Sequence, residues 1–280
     1  AAPHAVLLDS GSGAILYEKA ADELMVPASL AKIATALVAF QEIEQGRMTL
    51  DTEISISENA WRKGGGVSGG STMFALVNSR VKLGDILQGL IVQSGNDAAI
   101  ALAETVAGDE ASFARIMTER VHALGLTKSQ FRNATGMADP QQKVTARELA
   151  FLADHIIRTY PELYKTFGQR DFTWNKIKQS NRNPLLAMDI GADGLKTGNI
   201  DETGYGLVGS AVQKGQRLIV VVNGLKNARD RGSEARKLLE WGFRSFEQRQ
   251  VFAEGESVGE ASVFGGEKGR VALRVKGPVN

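Results

Sequence analysis

Three short stretches carry residue types that together can perform acyl transfer through a serine ester. They are Ser29-Leu30-Ala31-Lys32, Ser94-Gly95-Asn96 and Lys196-Thr197-Gly198, in that order along the chain. A serine hydroxyl is a weak nucleophile until a neighbouring base takes its proton. Ser29 and Lys32 stand one helical turn apart and so share a face. Lys32 can serve as that base only if it starts neutral. Its place beside the apolar run 33–40 disfavours the ammonium by desolvation, and Lys196, as a second cation, disfavours it further. Ser94 and Asn96 fall at a break between helical patterns. A hydroxyl there can relay protons, and an amide can hold a substrate carbonyl. Lys196-Thr197-Gly198 follows Gly194-Leu195 and reads as an edge strand. Lysine and threonine can hold a carboxylate, and Gly198 lets a substrate backbone approach closely. Each stretch alone has an ordinary alternative: a serine near a helix start, a simple turn, a strand end. An S-x-x-K arises roughly once by chance in a chain of this length, so the inference rests on the ordered triple.

The elements that must position these residues follow from local patterning. Ala5–Leu8 and Ala14–Tyr17 are short apolar runs around Asp9-Ser10-Gly11-Ser12-Gly13, which predicts a β-hairpin. Residues 29–40 hold good helix formers and are apolar nearly all round, as in a buried helix, with Gly46 as its stop. Residues 51–82 are mixed and contain Gly64-Gly65-Gly66 and Gly69-Gly70, which predicts a mobile loop. A helix is expected over 83–106, broken at Ser94-Gly95-Asn96, with two more at about 109–124 and 146–159. The last of these opens on the capping-box pattern Thr145-x-x-Glu148. Residues 171–199 read as strand and loop, and 206–212 and 217–222 as a hairpin around Lys214-Gly215. A helix follows over 232–246. Beyond 248 the pattern changes to short β-like runs with glycine between them.

The 280 residues suit one large or two smaller domains, and 43% of them are hydrophobic, enough for a sizeable core. Lys plus Arg is 33 against Asp plus Glu at 32, which gives no electrostatic case for nucleic-acid binding. The absence of cysteine excludes disulfides and thiolate metal sites. His4, His122 and His155 lie far apart, without metal-ligand spacing. No metal or other cofactor is expected. No apolar run approaches the roughly 18 residues of a membrane span. The opening Ala1-Ala2-Pro3 suits either a mature end just past a small-residue cleavage site or an arbitrary boundary.

The chain resembles the low-molecular-mass penicillin-binding proteins, which are serine-type D-alanyl-D-alanine carboxypeptidases of the peptidase S11 type. The likeness runs beyond the three motifs. It includes Pro27-Ala28-Ser29-Leu30, Gln93-Ser94-Gly95-Asn96-Asp97-Ala98, Thr173-Trp174-Asn175, Asn181-Arg182-Asn183, Asp193-Gly194-Leu195-Lys196-Thr197-Gly198 and Leu239-Glu240-Trp241-Gly242-Phe243. It covers about residues 3–247, and the β-like tail resembles the family's second domain. The resemblance implies an α+β fold of the penicillin-binding protein/β-lactamase kind: an antiparallel sheet flanked by helices, a mainly helical subdomain, and the active site between them. It implies a catalytic domain over 1–247 and a partial β-rich domain over 248–280. It also implies roles: Ser29 as the acylated nucleophile, Lys32 as its base, Ser94 and Lys196 in the proton relay, and Asn96 positioning substrate. The backbone N–H groups of Ser29 and Asn199 would form the oxyanion hole. Thr197, Gly198 and Arg231 would bind the terminal carboxylate region, with Arg229 as an alternative to Arg231. The implied substrate is a peptidoglycan stem peptide ending in D-Ala-D-Ala, and β-lactams are implied as covalent inhibitors. The implied place is outside the cytoplasm, in the periplasm or on the outer face of the membrane, with a C-terminal segment beyond Asn280 as a route to membrane association.

Two departures from the family's usual text stand out. Ala31 occupies a place where threonine is common, and Asn199-Ile200 follows the third motif where His-Thr or similar is usual. The first touches a local hydrogen bond and the second substrate preference. A serine β-lactamase shares the fold and motif types, but the second motif here is S-G-N rather than S-D-N, and no glutamate loop of the class A kind is evident. A non-catalytic wall-binding module would not need Ser29, Lys32 and Lys196 intact. The balance between carboxypeptidase and endopeptidase action stays open at this level.

Overall fold

In the computed structural model, which describes every residue except 248, 267, 278 and 280, the chain enters through a hairpin of β1 (His4–Asp9) and β2 (Ile15–Lys19). Its turn is held by Asp9, whose Oδ2 accepts from the backbone N–H and the hydroxyl of Ser12. A 3-10 turn over Ala28–Ala31 runs straight into α1 (Lys32–Glu44). The middle of the chain supplies β3 (Glu53–Ser55), α2 (Glu58–Gly64), β4 (Arg80–Lys82), α3 (Leu83–Val92), α4 (Asn96–Ala107), α5 (Glu110–Ala123), α6 (Ala146–Thr159) and α7 (Pro161–Tyr164). A small hairpin of β5 (Asp171–Trp174) and β6 (Ile177–Ser180) precedes β7 (Ala192–Ile200), β8 (Gly204–Gln213), β9 (Gln216–Leu225) and α8 (Ala228–Ser245). The tail contributes β10 (Ser257–Ser262) and β11 (Arg270–Arg274).

The main sheet has the order β2-β1-β9-β8-β7, and every neighbouring pair is antiparallel. Both of its faces are apolar because side chains alternate along each strand. On one face Val6, Leu8, Val208, Ile219 and Val221 join the helical core around α1. On the other, Leu7, Leu207, Leu218, Val220 and Val222 pack under Ala235 and Leu239 of α8. Residues 33–40 of α1 are buried all round, so this helix forms the centre of the helical part, packed against α3, α5 and α6, while α6 lies on β1 and β9. β7 is an edge strand, which leaves one rim of the sheet facing the helical part. The functional site lies at that rim.

The helices at α3, α4, α5 and α6 fall where the hydrophobic periodicity puts them, and Thr145 accepts from the Glu148 N–H at 3.1 Å as the capping pattern requires. Three stretches differ from expectation. Residues 51–82 contain β3, α2 and β4 rather than a plain loop. The glycines there permit close packing: a Cβ on Gly64 would sit 2.3 Å from the Asp97 backbone nitrogen, so only glycine lets α2 lie against α4. The helix expected to begin at Ser29 starts instead as a 3-10 turn. α8 begins at Ala228 rather than Gly232, because Asn227 caps it by accepting from the Asp230 N–H at 2.8 Å. In the tail, β10 pairs with β11 and, among the described residues, with no strand of the main sheet. The expected boundary falls at Gln248 and the expected end at Asn280, both outside the described residues.

Candidate active site

The first motif is presented by the 3-10 turn at Ala28–Ala31 rather than by regular helix. Ala28 has φ +51, a conformation that costs an L-residue energy and persists only where surrounding contacts hold it. The contact that holds it is with Gly136, whose missing Cβ would lie 1.9 Å from the Ala28 carbonyl oxygen. On the other side Gly198 of β7 packs against the turn, where a Cβ would come within 3.1 Å of the Ser29 and Leu30 nitrogens. Ser29 is thus wedged between the 133–136 loop and the edge strand.

Lys32 is 1% exposed, and its Nζ lies 2.9 Å from Ser29 Oγ and 2.8 Å from the Thr135 carbonyl oxygen. Burial lowers its pKa to about 7, with the Arg182 guanidinium adding repulsion and Asp97 opposing it. A substantial share of the lysine is therefore a neutral amine at neutral pH, able to accept the Ser29 hydroxyl proton. The sequence names Lys196 as the second cation acting on Lys32. In the structure the two buried lysines repel each other, as the sequence reading has it, and Arg182 adds a further cation that acts on both. Lys196 is held well below the usual lysine range by burial first, then by Lys32, Arg182 and Arg231.

The second motif sits at the junction of α3 and α4. Ser94 has φ +53, which turns the chain between the two helices. Its buried Oγ receives a hydrogen bond from Lys196 Nζ at 3.0 Å. Asn96 opens α4, and its backbone N–H donates to the Ser71 carbonyl at 2.9 Å. The fully buried Asp97 fixes this junction by accepting from the Met73, Ala75 and Ala98 N–H groups and from the Thr72 hydroxyl.

These groups meet at a cavity of about 220 Å³, lined by Ser29, Ser94, Asn96, Thr197, Gly198, Asn199 and Arg231, among others. Lys32 and Lys196 lie behind the two serines. The residues given catalytic or binding roles in the sequence, apart from the alternative Arg229, thus meet at this one place. Arg231 is 8% exposed, and its Nη1 reaches the Gly198 carbonyl only at 3.4 Å. Its guanidinium stacks over the Tyr205 ring at 5.3 Å, and its buried Nε has no partner among the described residues. Arg229 is exposed and does not line the cavity.

Five lining residues lie outside the three motifs and carry no role in the sequence reading: Ser71, Thr135, Gly136, Met137 and Arg182. Arg182 donates to Ser71 Oγ at 2.8 Å on the cavity wall. It lies in Asn181-Arg182-Asn183, a stretch that the family resemblance contains but that gives the arginine no role by residue type. With Arg182 and Arg231 on its wall and no carboxylate among its described lining residues, the cavity suits an anionic ligand.

The sequence profile of the D-alanyl-D-alanine carboxypeptidases matches residues 1–227. The D-alanyl-D-alanine carboxypeptidase DacA of Haemophilus influenzae is 41% identical over 270 residues, which span 96% of this chain and 68% of that protein. Among solved structures, penicillin binding protein 5 from Haemophilus influenzae superposes with a TM-score of 0.92 at 40% identity, covering 99% of this chain and 80% of that one. Penicillin-Binding Protein D2 from Listeria monocytogenes, solved in its ampicillin-bound form, superposes with a TM-score of 0.77 at 29% identity over 86% of this chain and 97% of that one.

Proposed function

The chain belongs to the D-alanyl-D-alanine carboxypeptidase family, peptidase S11, and we propose that it removes the terminal D-alanine from peptidoglycan stem pentapeptides through an acyl-enzyme on Ser29. Neutral Lys32 takes the Ser29 proton as Oγ attacks the carbonyl carbon of the penultimate D-alanine. The oxyanion forms between the backbone N–H groups of Ser29 and Asn199, where preorganised donors stabilise developing charge. The proton reaches the leaving amine through Ser94, with Lys196 beside it, and D-alanine departs. Water then attacks the ester and restores Ser29. Asn96 holds the peptide carbonyl, while Thr197 and Arg231 take the terminal carboxylate beside the close approach that Gly198 permits.

The observation that carries this reading is the buried Lys32 amine 2.9 Å from Ser29 Oγ at the floor of a cationic cavity. A β-lactam mimics the D-Ala-D-Ala end and is expected to acylate the same hydroxyl. Residues 1–247 are proposed as the catalytic unit and 248–280 as a separate β-rich part. The substrate's location puts the protein outside the cytoplasm, in the periplasm or on the outer face of the membrane. Among the described residues no helix is long and apolar enough to cross a membrane, so any attachment of that kind would need another segment.

Labelling with a fluorescent penicillin, followed by mass spectrometry, tests the reading. A stable adduct on the peptide containing Ser29, lost in Ser29→Ala, is the expected result. An adduct on another residue refutes the assignment, and rapid loss of label would mark a β-lactamase instead.

A further inference from the structure

Lys196 reaches Ser94 only if β7 has the correct register, and one polar cluster outside the cavity bears on that register. The β7–β8 ladder pairs Ala192 with Ala211 and Gly194 with Ser210. Asp193 is therefore the extra residue of a bulge. Bulges shift which side chains face each way along the rest of a strand. Beyond the bulge, Lys196 pairs with Val208, whose side chain lies in the helical core around α1. A one-residue slip would exchange the face that Lys196 occupies.

Asp193 is gripped from two elements. Its Oδ1 accepts from the Tyr164 hydroxyl at 2.8 Å and from Arg217 Nη1 at 2.8 Å, and its Oδ2 accepts from Arg217 Nη2 at 2.9 Å. Arg217 lies on β9 and also donates to Ser210 Oγ at 2.9 Å, so it ties the bulge across β8. Its guanidinium stands 5.6 Å from the centre of the Tyr164 ring. Tyr164 ends α7 and stacks on Phe167 with ring centres 5.6 Å apart, and Phe167 meets Phe40 of α1 edge-on at 6.3 Å. The cluster thus joins the strand that carries Lys196 to the helix that carries Lys32. Burial and Asp193 push the Tyr164 phenol well above its usual range, so the hydroxyl keeps its proton and donates.

Two glycines show how tight the fit is. A Cβ on Gly194 would lie 2.3 Å from the Tyr164 hydroxyl oxygen, and one on Gly168 would lie 2.8 Å from the Asp193 carbonyl oxygen. The start of β7 is held against the segment 164–168 with no room for a side chain at either place.

We propose that Tyr164, Asp193 and Arg217 form a positioning clamp that fixes the β7 bulge and sets the distance of Lys196 from Ser94 and of β7 from the Ser29 turn. The clamp touches neither substrate nor the reacting atoms, and it rests on the reading of Lys196 as part of the proton relay. A displacement of about 1 Å in such a relay slows chemistry on the order of a hundredfold while leaving substrate binding largely intact. The clamp therefore acts on the acylation rate constant rather than on affinity.

The test is stopped-flow acylation by a fluorescent penicillin, separating the binding constant from the acylation rate constant, with thermal melts alongside. The variants are Asp193→Asn, Tyr164→Phe and, as a stability control on the far face of the sheet, Leu239→Ala. The expected result is a fall in acylation rate of roughly ten- to a hundredfold in Asp193→Asn. Tyr164→Phe should show a smaller fall in the same constant, binding should change by less than about twofold, and Leu239→Ala should acylate normally despite its lower melting point. Wild-type acylation rates in Asp193→Asn and Tyr164→Phe, with only the melting point lowered, would overturn the clamp. So would a loss confined to binding. Should Asp193→Asn fail to fold, Tyr164→Phe, which removes a single hydroxyl, decides the matter by the same criteria. Failure of the wild-type protein to label would strike the assignment of Ser29 itself, a separate outcome from normal labelling of the variants.

Discussion

Replacing Arg231 with alanine isolates the recognition of the substrate's terminal carboxylate. Among the described residues Arg231 uses little of its hydrogen-bonding capacity: one contact of 3.4 Å to the Gly198 carbonyl, a stacked Tyr205 ring at 5.3 Å, and a buried Nε without a partner. A desolvated guanidinium with free donors on a cavity wall is poised to bind an anion. A charge-assisted hydrogen bond is worth about 1.5–3 kcal/mol, so Arg231→Ala should lower kcat/KM for a D-Ala-D-Ala peptide by roughly ten- to a hundredfold. Arg182 lines the same cavity and offsets part of the lost charge, which favours the lower end of that range. Folding should change little. The stacking over Tyr205 is worth about 0.5–2 kcal/mol, and its loss is opposed by relief of the buried charge, so the melting point should move by no more than about 3 °C. The assay compares hydrolysis of the free peptide with that of the same peptide amidated at its C-terminus. The amide lacks the carboxylate, so the variant and the wild type should handle it alike. Equal slowing of both substrates would refute the argument, because Arg231 would then support the site's shape rather than read the carboxylate. Arg229, exposed and away from the cavity, should give no effect.

Lys32 has its pKa lowered to about 7, so acylation should rise with pH through that value as the amine form fills. Lys32→Arg, which cannot lose its proton near neutrality, should abolish it. Because the folded-state pKa lies below the unfolded one, the unfolded chain binds more protons between about pH 7 and 10. Stability should therefore climb with pH across that window, by about 1.4 kcal/mol per pH unit for one such group, and Lys196, shifted the same way, adds in the same direction. Denaturant melts at pH 7 and pH 9, compared between wild type and Lys32→Met, check this: a variant with an unchanged pH slope would contradict it. Asp97→Ala strands the buried N–H groups of Met73, Ala75 and Ala98 and should cost at least about 3 kcal/mol in chemical denaturation. Gly136→Ala puts a Cβ at φ +86 and 1.9 Å from the Ala28 carbonyl. It should destabilise the fold by roughly 2–4 kcal/mol and slow penicillin labelling by displacing the Ser29 turn. Labelling at the wild-type rate would mean that the turn is held in some other way.

The sequence by itself determined the reaction chemistry and most of the elements. Residue type and order suffice for that: a serine followed three residues later by a lysine, a turn-forming Ser-Gly-Asn inside a helical stretch, and Lys-Thr-Gly on a strand each state a local capacity, and hydrophobic periodicity is equally local. Only the tertiary structure decided what depends on contacts between distant segments. It brought Arg182 to bear on both lysines, in addition to their repulsion of each other. It set Arg231 rather than Arg229 on the cavity wall, a choice made by the rotation of α8, which begins four residues before the apolar pattern does. It gave 51–82 a helix and two strands, with Gly64 serving as a site of close backbone approach to α4 while Gly69 still turns the chain. It also put a bulge at Asp193, where a single extra residue sets the face of Lys196. Periodicity cannot reveal that bulge, because the Tyr164 and Arg217 side chains that hold it come from other parts of the chain.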